Sequence, residues 1–394
     1  MKHGQRPRRA LIGGVVLLGV LLAGSCGSGA DEEQPAAPAG HGGHTAGPAV
    51  SPVPLRSGER FVGLSMPRPY APVAPNGGTD EYRCFLVDPG LTRSAFLTGS
   101  QFLPQNADLV HHAIFFRIDP AQVSEASQAD TESPGEGWTC FGNAGIAGSA
   151  AWVAHWAPGT GETLSASGTG YPMPPGSRLV MQVHYNLLGS AGEPAATDRS
   201  GIRLRLTDRA DLKPLHTALL MAPVELACAA DESGPLCDRA AAVRDVAGRF
   251  GEQAQATLEQ LNQVCNQGQA ETTGPVQHCD HHVPSAGTVY AVGGHMHLLG
   301  RSITVDLNPA RPERRRLLDV PAYNFDEQAV IPLPEPVAVN SGDTLRVTCT
   351  HDVTLRQRLP QLQKLPPRYV VWGEGTSDEM CLGLVVWSPV RDAY

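Results

Sequence analysis

Arg178-Leu179-Val180-Met181-Gln182-Val183-His184-Tyr185 is rich in residues that suit a β-sheet and reads as a strand. Upstream, Ala113-Ile114-Phe115-Phe116-Arg117-Ile118 reads likewise. Downstream the same holds for Gly201 to Leu206, Val289 to Val292, Ile303 to Leu307, Thr344 to Cys349 and Leu382 to Trp387, with turn residues between them. The 43 glycines and 34 prolines of the 394-residue chain favour short strands and many turns, and a hydrophobic content of 41% supplies a core. These observations predict a mainly β fold of two antiparallel β-sandwich, jelly-roll-like domains. One segment differs. Between Cys237 and Cys265, Val243, Val246, Phe250, Ala254, Leu258 and Leu261 recur at steps of three and four, predicting an amphipathic helix. It is expected as a helical insertion, 238–264, on the second sandwich. Gly, Ala, Pro and Asp interrupt the strands between Leu188 and Ser200, which places the N-terminal domain at 57–195 and the C-terminal domain at 196–394. No internal repeat is visible, and no glycine-rich nucleotide motif follows a strand.

The opening residues bear on compartment. Lys2, Arg6, Arg8 and Arg9 precede the apolar run Leu11 to Leu22, too short for an ordinary spanning helix. Ala23-Gly24-Ser25-Cys26 then looks like a bacterial lipobox, so 1–26 reads as a lipoprotein signal peptide with a lipid anchor at Cys26. Ordinary signal cleavage nearby is the alternative. Residues 27–56, rich in Gly, Ala, Pro and Ser, are expected as a disordered tether, with His41 and His44 as surface histidines. The location predicted is extracytoplasmic, anchored to a membrane. Eight cysteines remain beyond Cys26, an even number that suggests disulfides in an exported chain. No CxxC occurs, against a zinc ribbon or thioredoxin-like site. A net charge of −9 argues against nucleic acid as a partner.

Several histidines stand in telling places. Side chains of neighbours on a strand point to opposite faces, so His111 and His112 can share a metal only where the strand bends or ends. His184 lies in an otherwise apolar strand, and on its own reads as a core histidine bonded to a carbonyl. In Gly293-Gly294-His295-Met296-His297-Leu298-Leu299-Gly300, residues i and i+2 share a face, so His295 and His297 can chelate one ion without distortion. Flanking glycines let the backbone approach closely or bulge. Met380, in Thr376-Ser377-Asp378-Glu379-Met380-Cys381, follows two acids. A thioether is a soft ligand that suits Cu(I), and the plainer reading is a gap-filling core residue beside a disulfide. Asp378 and Glu379 are expected to hydrogen-bond backbone amides around that turn. His278, His281 and His282 read as a turn-like solvated run, His155 as a border of the first site, and His351 as a strand cap.

His-His, Gln-Val-His-Tyr, His-x-His-x-x-Gly and Ser-Asp-Glu-Met-Cys, in that order from Phe61 to Pro389, resemble the copper type II, ascorbate-dependent monooxygenases. The resemblance implies two copper ions per chain. His111, His112 and His184 would hold an electron-transfer copper. His295, His297 and Met380 would hold the catalytic copper, where O2 reacts with a small-molecule substrate. Each copper would sit on its own sandwich across a solvent-filled cleft, with ascorbate or a similar reductant as co-substrate. The resemblance also implies a Cys349–Cys381 bridge beside Met380. Where peptide-hydroxylating members hold a substrate carboxylate with arginine, this chain has Gly293, and Leu382 and Leu384 replace their Asn and Tyr, so peptide amidation is not carried over. The family's last cysteine has no counterpart, so Cys279 is expected to pair with Cys228, Cys237 with Cys265, and Cys84 with Cys140. The alternative reading is a non-catalytic, extracytoplasmic copper-binding or copper-delivery lipoprotein, which explains less well why six ligands are split between two domains.

Overall fold

The computed structural model describes residues 51–188 and 196–390. The lipobox ending at Cys26, His41, His44 and the tether up to residue 50 lie outside the described residues. Among the described residues no helix is long and apolar enough to cross a membrane.

In the first sandwich one sheet runs Trp138–Thr139, Asp80–Val87, Arg178–Asn186, Val110–Ile118 and Ala151–Trp156, all antiparallel. Its facing sheet runs Glu59–Ser65, Gly201–Thr207, Ala95–Leu103, Thr169–Met173 and Lys213–Pro214, with Thr163–Leu164 paired onto Ala95–Leu103. Alternation along the strands explains the packing. Phe115, Met181, Val183 and Tyr185 point inward onto Leu97, Ile202 and Leu204. Ile114, Phe116 and Val180 point outward and are covered by the helix Val123–Glu132 and the segment around Trp138. The central strand Arg178–Asn186 is therefore buried on both faces. This is why it reads as an unbroken apolar run rather than an alternating one.

The domain boundary expected at 195/196 is corrected. Gly201–Thr207 pairs with Glu59–Ser65 on one side and Ala95–Leu103 on the other. The first sandwich thus recruits an interior strand from beyond the turn-rich segment, and the second begins at His216–Met221. Residues that resemble a linker are a connection inside the first domain.

The second sandwich pairs His216–Met221, Cys381–Pro389, Gly287–Met296 and Ile331–Val339 against Val276–His282, Thr344–His351, Gly300–Leu307 and Arg315–Val320. The insertion is two helices rather than one, Arg239–Phe250 and Glu252–Cys265. Gly251 breaks it at φ +87°, a conformation most side chains avoid. Asp238 caps the first helix by accepting from the Ala241 amide at 2.8 Å. Val243, Val246, Phe250, Leu258 and Leu261 bury the apolar stripe against the second core.

Cys84–Cys140 and Cys349–Cys381 form as expected. The other pairs expected, Cys228–Cys279 and Cys237–Cys265, are corrected to Cys228–Cys237 and Cys265–Cys279. A 3-10 turn, Pro235–Cys237, returns Cys237 to Cys228, and the second helix delivers Cys265 onto the strand Val276–His282. That strand also corrects the reading of His278 to His282 as a turn: it is a sheet edge on which Asp280 pairs with Arg346.

Candidate metal centres

A β-bulge resolves the geometric difficulty of adjacent histidines. Val110 pairs with Tyr185 and His112 pairs with His184, so two residues oppose one between these pairs. The bulge lets both rings turn toward His184. His112 Nδ1 lies 3.2 Å from His111 Nδ1 and 3.2 Å from His184 Nδ1. All three residues are buried. Two nitrogens each about 2.0 Å from one ion are about 3.3 Å apart at a tetrahedral angle, so this spacing suits a shared metal.

His184 is held by a group the sequence reading missed. Its Nε2–H donates to Asp80 Oδ1 at 2.9 Å, which turns Nδ1 toward the other two rings. Burial pushes the Asp80 carboxyl up, but hydrogen bonds from His184, Thr376 and Thr79 outweigh it and hold Asp80 below the usual range. Tyr82 stacks on His184, with centroids 4.1 Å apart. Burial, then the neighbouring His184, His111, His295 and His297, keeps His112 well below its ordinary pKa, and therefore neutral and able to ligate. Removing Asp80 with Asp80→Ala is expected to weaken copper at the three-histidine set by about 10- to 100-fold, read by competition with a chelator. An unchanged affinity would show that Asp80 does not orient His184.

The second set forms where the His-x-His strand meets the Met380 turn. Met296 pairs with Cys381 and His295 with Leu382, so Met380 emerges beside the histidines. The glycines preceding them are close-packed: a Cβ at Gly294 would lie 2.6 Å from Ile303 Cγ2, and one at Gly293 2.6 Å from Val330 Cγ2. His295 Nδ1 bonds Gln328 Oε1, and Gln328 is itself tied to the Phe325 carbonyl at 2.6 Å. His297 Nδ1 faces the Asp378 carbonyl at 3.4 Å. Its Nε2 is buried without a hydrogen-bond partner, an arrangement that is costly unless something occupies it. Met380 is buried and borders the same cavity as His295. Burial lowers His297 to about 4 and His295 to about 3, so both are neutral imidazoles at ordinary pH. Two neutral nitrogens and a thioether are a donor set that fits copper.

Glu379 joins the two halves of this set. Its Oε2 accepts from the His297 and Met380 amides at 2.8 and 2.9 Å, and its Oε1 from the Leu299 amide at 2.7 Å. Burial pushes this carboxyl up to about 8, against the backbone donors that pull it down. Asp378 accepts from the Gly375 amide at 3.2 Å, as expected, and has a further role. It pairs with Arg249 through both oxygens, at 2.8 and 2.7 Å, and with Arg368 at 3.0 Å, tying the insertion to the Met380 turn. His351 is the buried last residue of Thr344–His351, 3.7 Å from Glu379 Oε2. His155 is on the cavity wall, apart from the triad.

The two sets do not face each other across a solvent-filled cleft, which corrects that expectation. The His112 and His295 rings have centroids 5.6 Å apart, and Phe325 stacks on His111 at 4.1 Å. Thr376 hydrogen-bonds Asp80, and Tyr82 donates to the Glu374 carbonyl at 2.8 Å. These bonds draw the sandwiches together, leaving a cavity of about 470 Å³ beside the rings.

Among solved structures, a xanthan lyase from Paenibacillus overlaps 79% of this chain at 12% identity and a TM-score of 0.17; the chain spans only 23% of that lyase. Procruciferin, an 11S globulin from Brassica napus, overlaps 85% of this chain and 77% of its own at 11% identity and a TM-score of 0.15. Overlaps at these scores do not establish a common fold. Residues 257–393 match the family described as copper type II ascorbate-dependent monooxygenase, C-terminal domain. His295, His297 and Met380 all fall within the match. The His-x-His strand and the methionine turn beside it both lie inside that match, so residues 257–393 are similar to the C-terminal domain of the copper type II ascorbate-dependent monooxygenases.

Proposed function

We propose that this protein hydroxylates a substrate C–H bond with O2, drawing two electrons and two protons from ascorbate or a similar reductant. One oxygen atom enters the substrate and the other leaves as water. His111, His112 and His184 would hold one copper through Nδ1, and His295, His297 and Met380 a second. Copper, when bound, supplies one-electron chemistry and a place for O2 to react. What supports this reading is the buried triad of His111, His112 and His184, together with one cavity that His112, His295 and Met380 all line. The protein's part is to keep the imidazoles neutral, to fix their tautomers through Asp80 and Gln328, and to shield the reacting atoms from water. Four disulfides support a working place outside the reducing cytoplasm.

Elemental analysis after copper loading and dialysis is expected to give about two ions per chain in the parent, and about one in Met380→Ile and in His184→Ala. Ascorbate-driven O2 uptake with substrate should vanish in Met380→Ile while the three-histidine copper remains. Copper binding without O2 uptake in the parent would leave a copper carrier. One ion or none in the parent would remove the two-site reading.

A further inference from the structure

The cavity beside the two ligand sets has an uncommon wall. Phe141, Trp152 and Trp156 come from the first sandwich, Phe250 from the insertion, and Trp372 and Leu384 from the second sandwich. Phe141 meets Phe250 edge to face across the seam, with centroids 5.3 Å apart. Among the described lining residues there is no Lys or Arg, and Glu374 is the one acid. Some polar groups of the lining residues are already engaged. The Trp156 indole donates to the Thr160 carbonyl at 2.9 Å, and Gln182 Nε2 donates to the Asn143 carbonyl at 2.7 Å. Trp152 Nε1 and Gln182 Oε1, behind the wall's surface, are buried with no hydrogen-bond partner.

We propose that this cavity selects a neutral, mainly apolar, ring-bearing molecule with one small hydrogen-bonding group, and that the helical insertion sets its size. The proposal names the substrate class for the centre read above as a hydroxylation site and rests on that reading. Aromatic and aliphatic walls reward apolar area. A few polar side chains in the lining, Thr139 and Gln253 among them, suit a single hydroxyl or carbonyl. An anion would lose its hydration, find no cation and meet Glu374. A cation would have only Glu374 as counter-charge. Burial, then the nearby Asp378, pushes that carboxyl up to about 7, so near neutral pH its charge is incomplete. Ala254 and Thr257, on the second helix of the insertion, line the same wall.

The test is titration of the purified full-length protein, metal-free and copper-loaded, with 2-phenylethanol, 2-phenylethylamine and phenylacetate. These share a ring and differ in charge, and calorimetry with tryptophan fluorescence reads binding without turnover. The alcohol is expected to bind, the amine no more tightly, and phenylacetate at least about tenfold more weakly. Ala254→Leu, which fills the wall, should weaken the alcohol about tenfold, and Trp152→Phe, which takes aromatic area from the wall, about fivefold. Both should keep parental copper content and melting temperature. Failure of the alcohol to bind, tighter binding of the amine or the carboxylate, or parental affinity in both variants would overturn the proposal. Alcohol binding without copper retention would defeat the metal reading alone. Copper retention without alcohol binding would defeat the substrate class alone.

Discussion

Glu379→Leu is expected to destroy the second ligand set and remove most of the protein's stability. The substitution keeps the volume but takes away the acceptor of three buried backbone donors, the amides of His297, Leu299 and Met380. Each orphaned donor costs about 1–3 kcal/mol, so the loss is roughly 3–9 kcal/mol against a total stability of about 5–15 kcal/mol. The melting temperature should fall by more than about 10 °C, or soluble protein should be lost. Copper content should drop to about one ion per chain. Glu379→Gln retains one carbonyl oxygen and should lie between. A variant melting within about 2 °C of the parent with both coppers would show that the Met380 turn holds itself.

Acidification to about pH 4.5 is expected to unfold the metal-free protein. Burial lowers His155, His297 and His351 to about 4, His295 to about 3, and His112 well below its ordinary value. In the unfolded chain these rings take up protons near 6.5, while the folded protein resists until near 4. Stability is therefore full above 6.5 and is lost as the pH falls through that window. His297 and His351 are the most enclosed, and each accounts for on the order of 3 kcal/mol. Glu379 and Glu374 oppose this. Raised to about 8 and 7, they hold protons that the unfolded chain releases near 4.5, so their contribution grows on acidification. Five histidines outweigh two carboxyls. Melting curves from about pH 7 to pH 4.5 should show a steep fall for the metal-free protein. Copper loading should move it to lower pH, since a ligand that binds only the folded state stabilises it. A flat profile would mean that the imidazoles are not desolvated.

Much of this architecture is legible in local sequence. Strand pattern gives Val110–Ile118, Arg178–Asn186 and Gly287–Met296, because burial on one face or both leaves a direct mark on composition. The i, i+2 rule places His295 and His297 together, and the condition that adjacent histidines need a bent strand is met by the bulge at His111. What escapes local reading is long-range. Asp80 and Thr376 are 296 residues apart yet share a hydrogen bond. Gln328 reaches His295 from 33 residues away, and nothing in its neighbours marks it. The boundary near 195 misleads because a crossing connection and a linker use the same turn residues. The disulfides around the insertion mislead because a nested pattern and two consecutive short loops are equally consistent with four cysteines. In the structure the helix after Gly251 carries Cys265 to Val276–His282, where Cys279 lies.

On the two-copper reading proposed above, the contact between the His112 and His295 rings carries a consequence for turnover. Where two redox centres are far apart, the tunnelling gap limits how fast an electron can pass, and mutations in the intervening medium change the rate. Here the imidazoles of the two sets are neighbours, so distance ceases to be the variable. Rate would then follow the difference in potential between the sites and the rearrangement each undergoes on changing oxidation state. On the same reading a substrate in the cavity would act on the centre from the side, through the aromatic wall.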